Sequence, residues 1–112
     1  MKVLDKEAEA IFRKLLEILG EEEEREYLKI DNSNGVYMPL SIQKLDNNRV
    51  ALAHYGKQNG DLMADPDMEF EIGEDYIKPL TYQNDYMGYF TDKPDVKFCN
   101  TWLRNIKEQQ KL

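Results

Sequence analysis

Apolar residues recur with helical spacing near both ends of the chain. In residues 6–19 and again in residues 95–110 they fall on one arc at about 100° per residue. Asp5 is placed to cap the first helix and Gly20 to follow its last residue, while Pro94 is placed as a first-turn proline of the second. We therefore expect an amphipathic helix at each end. The arcs contain Ala8, Ile11, Phe12, Leu15, Leu16, Ile18 and Leu19, then Phe98, Cys99, Trp102, Leu103 and Ile106.

Between the helices the apolar residues alternate with polar ones, which is the period of a half-buried strand. In the run 36–45 the alternation puts Val36 and Met38 on the dry face, and Pro39 makes this strand an edge or a bulged strand. Val50, Leu52 and His54 share a face of the next strand. The predicted strands are 26–30, 36–45, 49–55, 67–72, 76–83 and 86–90, with a tight hairpin at 46–48 and a long turn at 56–66.

This order of elements predicts an α+β fold. We expect an N-terminal helix, an antiparallel sheet of five or six short strands and a C-terminal helix, with both helices packed on one face of a curled sheet. A chain of 112 residues has the length of a single domain, 1–112, and can bury roughly two thirds of its unfolded surface. Glu21 to Glu24 are expected to form a solvated connector, with a docking patch for a basic partner as the alternative.

The net charge of −7 argues against a generic nucleic-acid binder, which needs basic residues to neutralise phosphates. A single cysteine, Cys99, forms no intrachain disulfide and no multi-cysteine zinc site, and its usage fits a reducing cytosol. The N-terminus has no long apolar segment, and no run of 18 apolar residues occurs. We therefore expect a cytoplasmic protein without a membrane span.

The stretch from His54 to Phe70 is the candidate functional region. It contains the one histidine and a dense group of acidic and turn-forming residues. Their spacing does not match the twelve-residue calcium loop, and no second histidine is present for zinc or iron. We therefore expect no metal and no cofactor, with the polar side chains capping turns and the histidine packed at a strand end. The candidate residues are His54, Asn59, Asp61, Asp65, Asp67 and Glu69.

No catalytic residue is assigned from the sequence. Cys99 lies on the buried arc of the second helix, which indicates a structural thiol. No serine occupies a Gly-x-Ser-x-Gly turn, and no glycine-rich loop leads into a helix.

Charge is distributed unevenly along the chain. Residues 61–75 contain seven acids and no base, whereas residues 93–112 contain five bases and two acids. Faces of one sign favour partners of the opposite sign. Seven tyrosines add candidate interface anchors, although their period-two spacing also suits the lining of a sheet. The four that lie close together in the sequence are Tyr76, Tyr82, Tyr86 and Tyr89.

Several motifs resemble a bacterial family of unknown function. The core is H-Y-x(3)-N-G-D-x(3)-D-P-x-M-x-F, which spans His54 to Phe70. Weaker matches lie at residues 37–42, 82–85 and 102–103. Members of that family are small proteins or modules of larger ones, often on plasmids, phages and conjugative elements. The resemblance implies a mobile-element or accessory gene and assigns no activity.

These observations favour a non-enzymatic protein-interaction or regulatory module that presents an acidic sheet face or rim to a protein partner. One alternative is a metal-dependent or acid–base enzyme centred on His54, Asp61, Asp65 and Asp67. The other is a nucleic-acid-related module, which uses the basic face of the C-terminal helix or imitates nucleic acid with the acidic face.

Overall fold

The computed structural model describes residues 2–20 and 26–112. Within these residues two helices flank six strands. The elements are α1 (Lys6–Leu19), β1 (Tyr27–Ile30), β2 (Leu40–Asp46), β3 (Arg49–Gln58), β4 (Asp61–Ile72), β5 (Ile77–Asn84), β6 (Tyr89–Thr91) and α2 (Val96–Gln109). Glu21 to Glu24 lie outside the described residues, so their role as a connector stays a prediction.

Both predicted helices are present. The Asp5 side chain accepts a hydrogen bond of 2.8 Å from the amide of Ala8, which confirms it as the cap of α1. Gly20 follows the helix, as predicted. Pro94 is not in the first turn of α2, because Asp95 caps that helix by accepting from the amide of Lys97 and the helix begins at Val96. Neither 14-residue helix of the described chain is long and apolar enough to cross a membrane.

The strands form one antiparallel meander in the order β1-β2-β3-β4-β5-β6. Buried residues of α1 and α2 pack in one cluster with buried residues of β1 to β5, so the two helices cover one face of the sheet. The predicted α+β fold is confirmed. Two strands are longer than predicted, since β3 has 10 residues and β4 has 12.

The predicted strand over 36–45 begins only at Leu40. The Ser33 hydroxyl donates to the carbonyl of Tyr37 and accepts from its amide, both at 3.0 Å, which holds these residues in a compact turn. Val36 is therefore 72% exposed, and its predicted place on the dry face was wrong. Met38 is exposed as well, and Pro39 precedes the strand.

The predicted long turn over 56–66 was also wrong. β3 and β4 continue through this region and meet at Asn59 and Gly60, which form a two-residue hairpin turn. Their φ angles of 52° and 85° are those of a type I′ turn, which Asn-Gly favours. Asn59 and Asp61 consequently lie at an exposed hairpin tip.

A bulge interrupts the pairing of β3 with β4 next to His54. Ala53 pairs with Asp67 while Tyr55 pairs with Ala64, so β4 carries one extra residue at Asp65 and Pro66. The Asp65–Pro66 peptide bond is cis. The Asp65 carboxylate accepts a hydrogen bond of 3.0 Å from the side chain of Asn84 on β5.

Candidate functional site

A row of aromatic rings runs from the core to the surface beside the first turn of α2. His54 on β3 meets Trp102 edge to face with ring centroids 5.5 Å apart, and Phe98 stacks on Trp102 at 6.3 Å. Tyr82 contacts Phe98 at 5.5 Å and Tyr89 at 5.9 Å. Such contacts add stabilisation beyond the apolar area that they bury. The row therefore links the packing of the core to the shape of the surface near β6.

His54 is the buried end of this row and is only 6% exposed. Its Nδ1 accepts a hydrogen bond of 3.4 Å from the indole N–H of Trp102, so the neutral ring carries its proton on Nε2. In the described part of the chain, Nε2 has no hydrogen-bond partner. Burial lowers the pKa of His54, and the negative charge of Asp65 opposes this shift. The imidazole is thus a neutral packing group within β3. The predicted place of His54 at a strand end was wrong, because β3 continues to Gln58.

The exposed end of the row lines a cavity of about 260 Å³ between β6 and the start of α2, here called the aromatic cleft. Met87 at its rim is 73% exposed and Tyr89 is 50% exposed. Phe98, which also lines the cleft, is exposed too. Phe90 is exposed as well but is not part of the lining. The lining residues are Tyr82, Met87, Tyr89, Thr91, Lys93, Pro94, Asp95 and Phe98.

The turn between β5 and β6 holds the rim of the aromatic cleft against β4. The Asp85 carboxylate accepts from the amide of Ala64 at 2.7 Å, and the Asp85 amide donates to the carbonyl of Ala64 at 2.8 Å. Asn84 is buried, donates to the carboxylate of Asp65 at 3.0 Å and accepts from the amide of Met87 at 3.2 Å. These bonds pin both ends of the turn, so the exposed Met87 sits on a fixed backbone.

The candidate residues predicted around His54 are not gathered in one place. Asp65 is the member that lies near His54 and influences its charge. Asp67 and Glu69 alternate with the buried Met68 and Phe70, so their side chains lie on the sheet face away from the helices. In the described residues, no group of three or more His, Cys, Asp or Glu side chains is placed to hold a metal ion.

The acidic face of the sheet is partly neutralised. Asp67 accepts from the hydroxyl of Tyr55 at 3.2 Å; burial raises the pKa of the Asp67 carboxyl and raises the pKa of Tyr55 to about 12. Arg49 lies 3.7 Å from Glu69 and forms a closer ion pair with Asp46. Two carboxylates of this face, those of Asp67 and Glu69, therefore already have a neighbouring group that interacts with them.

One cation on the basic face of α2 is also paired. Arg104 is paired with Asp5 and Glu7 at the start of α1. These contacts raise the pKa of the Arg104 guanidinium and lower that of the Asp5 carboxyl, where the largest cause is the bond from the Ala8 amide. One of the five C-terminal cations thus serves to join the helices.

Two of the four candidate tyrosines line the aromatic cleft, Tyr82 and Tyr89. The hydroxyl end of Tyr86 lies over Gly56 on β3, beside the turn that carries Met87. Tyr76 is elsewhere, with its hydroxyl bonded to Glu71 at 2.8 Å. The four tyrosines proposed from the sequence as interface anchors therefore include two residues of the aromatic cleft.

Sequence reasoning missed Asn84, Asp85 and Met87 as site residues. The run 86–91 carries no charge and has large apolar residues at adjacent positions, which a half-buried strand does not show. That departure from alternation was the available signal for an exposed apolar segment. Asn84 and Asp85 gave none, since their partners are about twenty residues away in the sequence.

A protein-family model describes residues 10–112 of the chain as a domain of unknown function, DUF6908. The chain belongs to this family. The match agrees with the resemblance to an uncharacterised family, although it assigns no activity, ligand or partner to DUF6908. No curated protein and no solved structure matched the chain.

Proposed function

We propose that the protein is a non-enzymatic interaction module and that the aromatic cleft is its docking surface for a protein partner. The observation that carries this proposal is the exposure of Met87, Tyr89 and Phe98 around one cavity. Contiguous exposed apolar side chains on a small protein are typical of interaction sites. Aromatic anchors of this kind contribute a large share of the binding energy at protein interfaces.

The rigidity of the rim supports docking. Asp85 and Asn84 fix the backbone of the turn, so the backbone that carries Met87 has little conformational entropy left to lose. Methionine adds a polarisable side chain that adapts to different partners. A pre-organised aromatic surface with a flexible methionine at its edge is well suited to take one or two apolar side chains of a partner.

The size of the aromatic cleft favours a side chain over a cofactor. Its volume of about 260 Å³ lies below the range of roughly 300–1,000 Å³ that is usual for sites of drug-sized ligands. The geometry does not support an enzyme centred on His54 and Asp67. His54 is neutral and buried, and Asp67 lies on the opposite face of the sheet. An acidic face as the docking surface, a mobile-element setting and a cytoplasmic location stay predictions.

Selection of peptides from a random library displayed on phage tests the proposal. We expect enriched peptides with aromatic or large aliphatic anchors, and we expect Met87→Ala and Tyr89→Ala each to weaken their binding at least about tenfold. Tyr37→Ala is the matched control, since Tyr37 is as exposed as Tyr89 but lies before β2 and outside the lining of the cleft. Enriched peptides that bind all three variants as tightly as the native protein would contradict the proposal.

A further inference from the structure

A second cavity, of about 350 Å³, lies on the other side of the segment that joins β6 to α2. It is called here the lysine cavity because three lysines, Lys2, Lys78 and Lys93, are among its lining residues. The N-terminal segment reaches this place because the amide of Leu4 donates to the carbonyl of Ile77 at 2.9 Å. The other lining residues are Pro79, Asp92, Pro94 and Val96.

The positive charges of the three lysines of this cavity are only partly compensated. In the described part of the chain none of them forms an ion pair, whereas Lys6 and the arginines Arg13, Arg49 and Arg104 each have a carboxylate partner. Asp92 is the one acidic residue in the lining, so three positive charges against one negative charge leave an excess of two. A positive cavity in a molecule of net charge −7 is a local reversal of sign.

Helix α2 adds to the positive potential. Its first residue, Val96, lines the lysine cavity, and the N-terminal end of a helix carries the positive end of the helix dipole. Asp95 already caps this end through the amide of Lys97 and offsets part of the effect. The helix therefore reinforces the charge of the lysines without being a separate site.

The aromatic cleft and the lysine cavity are neighbours that share Lys93 and Pro94 in their linings. A ligand that places an apolar group in one is thereby positioned to place an anionic group in the other. The two cavities together fit a chain segment in which an aromatic or aliphatic residue lies next to acidic residues.

We infer that the partner segment is acidic: its carboxylates occupy the lysine cavity while an adjacent apolar side chain fills the aromatic cleft. This inference rests on the proposed function and specifies the chemistry of the partner. An acidic protein segment fits better than nucleic acid, because each further phosphate of a polyanion would be repelled by the net charge of −7.

Titration by NMR with three end-blocked tetrapeptides tests the inference at low ionic strength: Asp-Glu-Trp-Leu, Ser-Gln-Trp-Leu and Lys-Arg-Trp-Leu. We expect the acidic peptide to bind about fivefold more tightly than the neutral one, as two partly exposed ion pairs would allow, and the basic peptide to bind least tightly. Amide shifts should appear at Tyr89 and Phe98 and also at Lys78 and Lys93. Added salt should reduce the acidic preference.

The variant Lys78→Gln/Lys93→Gln should bind the acidic and neutral peptides equally. The matched control Lys44→Gln/Lys57→Gln changes the net charge by the same amount at other exposed lysines and should keep the acidic preference. Such a control separates a local site from a general effect of charge.

The remaining outcomes distinguish this inference from the proposed function. Equal affinity for the three peptides, with shifts confined to the aromatic cleft, would overturn the acidic partner and leave the cleft as a docking surface. Shifts confined to the lysine cavity would overturn docking at the aromatic cleft, and no shifts with any peptide would overturn both. A single-stranded oligothymidylate that bound the lysine cavity more tightly than the acidic peptide would replace the acidic protein segment with nucleic acid.

Discussion

At the scale of single residues, the contact between His54 and Trp102 sets how α2 lies on the sheet. The indole N–H of Trp102 needs an acceptor when it is buried, and Nδ1 of the neutral His54 provides one. A protonated imidazole would present a second N–H to that donor, so the bond requires the neutral ring. The pair therefore couples the protonation state of one side chain to the docking of a helix.

The free energy of unfolding should consequently fall as the solution becomes acidic. Because burial holds the pKa of His54 below its ordinary value of about 6.5, the unfolded chain binds this proton more readily than the folded chain. The stabilisation is complete above pH 6.5 and is lost below it, with a slope of at most about 1.4 kcal/mol per pH unit. Denaturant unfolding between pH 5 and pH 8 measures this slope.

The variant His54→Gln is the control for this pH dependence, since it cannot titrate in that range. Its unfolding free energy should vary much less with pH than that of the native protein. Because His54 is the one histidine in the chain, its ring resonances also report the folded pKa directly. A folded pKa at or above 6.5 would contradict the prediction.

Gly73 is a position where an added Cβ atom should affect stability. A Cβ at this position would collide with the ring of Tyr76, which is held by its hydrogen bond to Glu71. Gly73→Ala should therefore lower the unfolding free energy by about 1 kcal/mol, the low end for overpacking, because the half-buried ring can swing outward. The same substitution in a Tyr76→Ala background should cost much less, and an equal cost in both backgrounds would contradict the collision.

At the scale of elements, the turn between β5 and β6 is the part that shapes the aromatic cleft. It projects from a short edge strand, which on its own would hold the exposed Met87 only loosely. The carboxylates of Asp65 and Asp85 bind it to β4 through Asn84 and the amide of Ala64. Hydrogen bonds to β4 thus hold the turn in place at an edge of the sheet where apolar packing is sparse.

Asp85→Ala should loosen this turn without unfolding the protein. The amide of Ala64 loses its acceptor, so we expect its hydrogen exchange to become at least about tenfold faster while the amides of β3 stay protected. Binding of peptides at the aromatic cleft should weaken as well. Asp75→Ala removes an exposed carboxylate that lines neither cavity and serves as the control. Unchanged exchange at Ala64 in Asp85→Ala would contradict this role of Asp85.

At the scale of the whole molecule, polar contacts join the two ends of the chain to the rest. Arg104 on α2 pairs with Asp5 and Glu7 at the start of α1. The fully buried side chain of Gln110 accepts from the amide of Asn32 at 2.8 Å and donates to the carbonyl of Met38 at 3.2 Å. α2 is therefore fixed at one side to α1 and at its end to the segment between β1 and β2.

Arg104→Gln should lower the thermal midpoint at low ionic strength by a few degrees at most, because exposed ion pairs contribute little. The difference from the native protein should shrink at about 1 M salt, where exposed charges are screened. Lys107→Gln removes an exposed charge from the same helix and should show no such difference. A loss in Arg104→Gln that is independent of salt would indicate lost packing of the side-chain stem instead.

Local patterns in the sequence were enough to predict the α+β class, both helices and the approximate places of the strands. Hydrophobic periodicity is a local property, and it identified the buried face of α1 together with its cap, Asp5. The burial of His54 beside Val50 and Leu52 followed from the same periodicity. The Asn59-Gly60 pair was itself a local signal for a tight hairpin. The polar residues around it led to the prediction of a long turn instead.

Which distant residues meet depends on how the helices and strands pack. The aromatic cleft forms because β5, β6 and α2 bring Tyr82, Tyr89 and Phe98 together, and the lysine cavity joins Lys2 to residues more than 70 positions away. A side chain's partners across a sheet depend on strand order and on bulges such as that at Asp65, which periodicity does not reveal. Periodicity therefore located the elements, and their packing created the surfaces on which the proposed function depends.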